Sequence, residues 1–125
     1  TRDAPRGAKE RDPMLSNNNR PQYQVAKIIA SQMARGGIGQ IAMMTGAKNF
    51  LTHSDQCGGL SFQFPRPAAG KPNFVRVTLT GMDTYTVEFG SRHGLNYRVL
   101  STVEDVYAES LRGVFESATG LYLSL

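Results

Sequence analysis

Between residues 60 and 99 the chain alternates apolar and polar side chains in four separate runs, with glycine between consecutive runs. Leu60, Phe62 and Phe64 alternate with Ser61 and Gln63. Val75, Val77 and Leu79 alternate with Arg76, Thr78 and Thr80. Tyr85, Val87 and Phe89 alternate with Thr84, Thr86 and Glu88, and Leu95, Tyr97 and Val99 with Asn96 and Arg98. A period of two belongs to strands, and one apolar face beside one polar face belongs to an antiparallel sheet with a wet side. Gly81-Met82-Asp83 and Ser91-Arg92-His93-Gly94 read as hairpin connections. All four apolar sets, Leu95, Tyr97 and Val99 included, are expected on the buried face.

Helical spacing flanks these runs. Val25, Ile28, Ile29 and Met33 form a stripe that predicts a helix over residues 21–34, opened by Pro21 and stopped by Gly36-Gly37. On this reading Ile28→Asp unfolds the domain. Ser101-Thr102-Val103-Glu104 fits a capping box and predicts a second helix ending at Gly120. Its face would be Val103, Val106, Tyr107, Leu111, Val114, Phe115 and Ala118, with Glu104 and Asp105 at the positive end of the helix dipole. The apolar run Gln40–Thr45 reads as a further, central strand, and residues 46–59 as a polar connection with one helical turn near Lys48–Leu51. Leu121, Leu123 and Leu125 form a last strand or wedge against the core. The fold class is therefore α+β: an antiparallel sheet of about five strands flanked on one face by an N-terminal and a C-terminal helix. Residues 1–20 mix charge with Pro, Gly and Asn and read as a disordered basic tail, and residues 21–125 as one domain.

Composition removes several function classes. The single cysteine, Cys57, rules out an internal disulfide, and no run approaches the roughly 18 apolar residues of a membrane helix. No membrane partner and a cytoplasmic location are expected. Nucleotide binding is not supported: after Gly37-Ile38-Gly39, the Gly46-Ala47-Lys48-Asn49 segment interrupts the phosphate-loop pattern at Ala47 and lacks its hydroxyl. His53, Asp55 and Cys57 alternate like metal ligands but lack a fourth member, so no metal and no cofactor are expected. Nothing activates Cys57 as a nucleophile beside His53 or His93. Asp83 and Glu88 do not form a carboxylate pair, and Glu104 and Asp105 are accounted for as helix-start groups. The expectation is a protein that is not an enzyme.

Charge is the remaining signal. The net charge is +4. Residues 21–101 hold eight basic groups against three acidic ones, whereas residues 102–125 hold one against four. A basic body attracts polyanions. The residues expected to contact nucleic acid are Lys48, Arg66, Lys71, Arg76, Arg92 and Arg98, on loops and on the polar sheet face. The strand aromatics alternate in phase with aliphatics and are assigned to the core, so no exposed stacking platform is expected. DNA or RNA is the expected partner. The alternative is a protein-interaction module, a homodimer or an inhibitor of a host protein, using Leu121–Leu125 as a strand added to a neighbour.

Asp105-Val106-Tyr107-Ala108-Glu109-Ser110-Leu111, with Phe115 and Thr119-Gly120-Leu121-Tyr122-Leu123-Ser124-Leu125, resembles the C-terminus of a family of small uncharacterised bacteriophage and prophage proteins. Met44-Thr45-Gly46-Ala47-Lys48-Asn49-Phe50 and Thr80-Gly81-Met82-Asp83-Thr84-Tyr85 resemble its two other recurring segments. The resemblance spans about residues 22–125. It implies a phage or mobile-element origin, hence the host cytoplasm and a host or phage protein among the partners, and it implies no chemistry.

Overall fold

A computed structural model describes residues 21–54 and 57–123. The expectations for residues 1–20, Asp55 and Leu125 fall outside the described residues. The element order is α1 (Pro21–Met33), α2 (Gly37–Thr45), β1 (Lys48–His53), β2 (Gly59–Gln63), β3 (Phe74–Leu79), β4 (Tyr85–His93), β5 (Asn96–Val106), a 3-10 turn (Ala108–Ser110) and α3 (Leu111–Thr119). The five strands form one antiparallel meander in the order β1-β2-β3-β4-β5. The α+β class, with five strands and helices at both ends of the chain, is the class expected from sequence.

The core lies between the sheet and the helices. Leu60, Phe62, Val75, Val77, Val87 and Phe89 are all at most 2% exposed. Helix α1 covers them with Ala26, Ile29, Ala30 and Met33, a stripe at i, i+3, i+4 and i+7. Ile28 lies off that stripe and is 51% exposed, so the expectation that Ile28→Asp unfolds the domain is corrected. Phe115 of α3 packs against Phe62, Phe64 and Phe89 with ring centroids 5.3–6.4 Å apart. Aromatic pairs at such distances add to their area burial.

Three local readings are corrected. Residues 40–45 are helical, not a central strand. Gly37 takes φ +70° and turns the chain back. Ile38, Ile41 and Thr45, spaced three and four apart, then face the core, the Thr45 hydroxyl donates to the Ile41 carbonyl at 2.7 Å, and left-handed Gly46 ends the helix. A short apolar run suits strand and helix alike, and packing decided this one. Residues 48–53 form edge strand β1 rather than a loop with a helical turn, Asn49 taking φ +59° where the register with β2 slips.

The third correction moves the start of the last helix by ten residues. Ser101, Thr102 and Val103 pair with Phe89, Glu88 and Val87 in β5, and α3 begins only at Leu111. The β-branched Val99, Thr102, Val103 and Val106 suit a pleated strand better than a helix. The capping box is therefore not used, and Asp105, at φ +58°, sits in a bulge rather than at a helix start. Ser91, Arg92 and His93 extend β4, leaving a tighter hairpin at Gly94. Leu95, Tyr97 and Val99 are exposed at 102%, 41% and 49%, against the expectation that they are buried. Leu123 is the wedge: it is fully buried, its amide donates to the Glu116 carboxylate at 2.9 Å, and its carbonyl accepts from Gln40 Nε2 at 2.6 Å. That position is therefore not available as a strand for a neighbour.

Candidate functional site

In an antiparallel meander the start of β1, the end of β2, the start of β3 and the end of β4 meet at one end of the sheet. That end holds a cleft of about 590 Å³ lined by Gly46, Lys48, Gln63, Phe64, Pro65, Arg66, Asn73, Arg92 and Gly94. Three of the six cations expected from sequence, Lys48, Arg66 and Arg92, converge there, and no described carboxylate lines the cleft.

The cleft is built by side chains that bind backbone. Asn73 Nδ2 donates to the Arg92 carbonyl at 2.9 Å, and its Oδ1 accepts from the Arg92 amide at 2.8 Å. This two-sided clasp fixes the Arg92 backbone. The Arg66 guanidinium donates to the Lys71 carbonyl, to Ser91 Oγ at 2.7 Å and to His93 Nε2 at 3.0 Å. None of the three partners is an acid, so Arg66 ties the β2–β3 loop to β4 while its charge stays unneutralised by them. Asn49 Nδ2 donates to Gln63 Oε1 at 2.7 Å and closes the β1 side.

Arg92 also joins a second hollow of about 320 Å³ on the open sheet face, lined by Leu51, His53, Ser61, Phe74, Arg76, Glu88, Arg92, Leu95 and Tyr97. Its guanidinium lies 5.6 Å from the Phe74 ring centroid. Tyr97 meets Phe74 edge to face at 5.3 Å and donates its hydroxyl to Glu88 at 2.6 Å. Burial, then that hydrogen bond and the Glu88 charge, push the Tyr97 phenol well above its usual value. Arg76 stands opposite Glu88 in the β3–β4 register. The cleft and this hollow together make a track of cations from Lys48 and Arg66 through Arg92 to Arg76, where the Glu88 carboxylate stands opposite Arg76 and Tyr97 lies alongside.

The other two expected cations fall elsewhere. Lys71 sits in the loop that Arg66 clasps. Arg98 is exposed on β5, opposite Ser91, and lines neither hollow. Sequence reasoning missed Tyr97 by assigning it to the core. A signal was present in Gly90: a Cβ there would lie 2.4 Å from the Tyr97 ring, and a glycine inside a strand often marks such a close approach.

The sites set aside from sequence have geometric counterparts. The glycines 37 to 46 bracket a helix, not a strand leading into a phosphate loop. Cys57 lies beside Leu79, at the opposite end of the sheet from His93. His53 Nε2 is 2.7 Å from Ser61 Oγ, and Ser61 is fully buried beneath the hollow. Among the described residues no group of three His, Cys, Asp or Glu could hold a metal ion, and no helix is long and apolar enough to cross a membrane. No protein-family model, curated protein or solved structure matches the chain.

Proposed function

We propose that the protein is a non-enzymatic, phage-type accessory protein of the host cytoplasm that binds nucleic acid along the cationic track, with single strands preferred over duplex. The observation that carries this reading is the convergence of Lys48, Arg66 and Arg92 on one cleft without a lining carboxylate. Cations held close together in a concave site bind a phosphate backbone by releasing its counterions. The preference for single strands rests on Tyr97, whose exposed ring beside Arg76 and Arg92 offers an unpaired base a stacking surface.

The test is fluorescence anisotropy at low ionic strength with labelled single- and double-stranded DNA and RNA. Binding that weakens steeply with salt and favours single strands is expected. An absence of binding at low salt, where phosphate contacts are strongest, overturns the proposal.

A further inference from the structure

A carboxylate sits among the cations of the open sheet face. Of the described residues lining the cleft and the hollow, Glu88 is the one acid. A carboxylate repels phosphate, so it weakens a phosphate track unless a hydrogen-bond donor meets it. The register fixes its place. Leu51, Ser61, Arg76 and Glu88 are Cα partners in one row across β1, β2, β3 and β4. Ser61 is fully buried, and the hollow opens above it. Beyond this row Phe74 is the partner of Gly90, and Arg92 of Tyr97. Gly90 lets the Tyr97 ring lie over the sheet, edge to face with Phe74 at 5.3 Å. The Tyr97 hydroxyl donates to Glu88 Oε2 at 2.6 Å and holds the carboxylate beside the ring. Leu51 and Tyr97 are 46% and 41% exposed at the two sides of the hollow. Its volume of about 320 Å³ lies near the lower end of the roughly 300–1,000 Å³ of small-molecule sites, a size for one heterocycle.

The donors and acceptors of the hollow discriminate among bases. A carboxylate accepts at about four lone-pair positions, and the Tyr97 hydroxyl takes one. Guanine presents two adjacent donors, N1–H and the N2 amino group, which match the two oxygens of a carboxylate. Its O6 accepts from a guanidinium. Adenine and cytosine each set an amino donor beside a ring-nitrogen lone pair, which a carboxylate repels. Thymine and uracil have one N–H between two carbonyls. Arg76 and Arg92, both lining the hollow, supply the guanidinium groups. Unpaired bases are read on this edge while they stack on aromatic rings.

We propose that the hollow is a base pocket that selects guanine. The base stacks on Tyr97, Glu88 accepts from N1–H and the N2 amino group, and a neighbouring arginine donates to O6. This rests on the reading that single strands bind along the track, and it adds a sequence preference to that reading. Competition anisotropy tests it, with short oligothymidines that carry one central guanine, adenine, cytosine or hypoxanthine. The guanine oligomer should bind about tenfold more tightly than the adenine, cytosine and all-thymine ones. Hypoxanthine keeps N1–H and O6 but lacks the N2 amino group, and should lose most of that advantage. Glu88→Gln sets an amide donor where acceptors are needed. It should bring the guanine oligomer level with the all-thymine one, while the all-thymine oligomer still binds at low salt. Circular dichroism confirms that the variant is folded, and the hypoxanthine comparison needs no variant. Equal affinities for all bases, an undiminished hypoxanthine oligomer, or a guanine preference that survives Glu88→Gln overturns the base pocket and leaves the phosphate track standing. An absence of binding to every oligomer at low salt overturns the function proposed above, and the pocket with it.

Discussion

Gly90 and Tyr97 depend on each other. The tyrosine ring occupies the space where any other residue would carry a Cβ, and from there its hydroxyl reaches Glu88. Gly90→Ala should displace the ring and break that hydrogen bond, which near-ultraviolet circular dichroism would register as a change in the tyrosine signal. Tyr97→Phe keeps the ring and loses only the hydroxyl, at an expected cost of about 1 kcal/mol near neutral pH. The pH dependence has a defined sign. The folded state holds the Tyr97 proton more tightly than the unfolded chain, whose value is 10.0. Its contribution is therefore complete below pH 10 and is lost as pH rises through the folded value. Denaturant titrations should show the native protein's advantage over Tyr97→Phe shrinking above that pH, and a constant advantage would contradict the assignment. On α1, Ile28→Asp should change stability by no more than about 0.5 kcal/mol because the side chain is exposed, whereas Ala30→Asp should unfold the domain. Sequence periodicity could not separate Ile28 from Ile29, because adjacent positions on a helix differ by about 100° and either could define the stripe.

At the level of elements, β2, β3 and the first half of β4 were legible from alternation alone, because each turns apolar side chains to the core and polar ones away from it, even at Ser61, which is buried on the polar side of β2. Edge strands broke the rule. In β5 both faces are open, so the alternation of Leu95, Tyr97 and Val99 carried no burial information. β1 has Lys48 and Asn49 at its start and too few apolar residues to announce a strand. The end of α3 was legible because Gly120 takes φ +80°, a conformation that penalises any side chain. Its start was not, because a capping-box pattern fell inside a segment rich in β-branched residues. Two substitutions separate these readings in chemical denaturation. Ser101→Ala should leave the helix content unchanged, since Ser101 caps nothing, while Gly120→Ala should cost about 1 kcal/mol. Phe115→Ala should cost about 3–5 kcal/mol, because it empties the space shared by Phe62, Phe64 and Phe89.

Across the whole molecule, charge is sorted by position in the fold. The cations of the track occupy one end and the open face of the sheet, with Glu88 among them on that face, and the acidic residues of 102–125 lie on β5 and the elements after it. Sequence identified the cations of the track but not their grouping, because only the meander brings Lys48, Arg66 and Arg92 from three separate segments to one end. In the function proposed above, this grouping, rather than net charge, binds nucleic acid. The slope of log affinity against log salt for a single-stranded oligonucleotide tests it most directly, since each phosphate contact contributes about 0.7 to the slope. Lys48→Ala and Arg92→Ala should each reduce the slope by about 0.7, while Arg98→Ala, which removes the same charge outside the track, should leave it unchanged. Equal losses from all three variants, or no loss from Lys48→Ala and Arg92→Ala, would contradict the account.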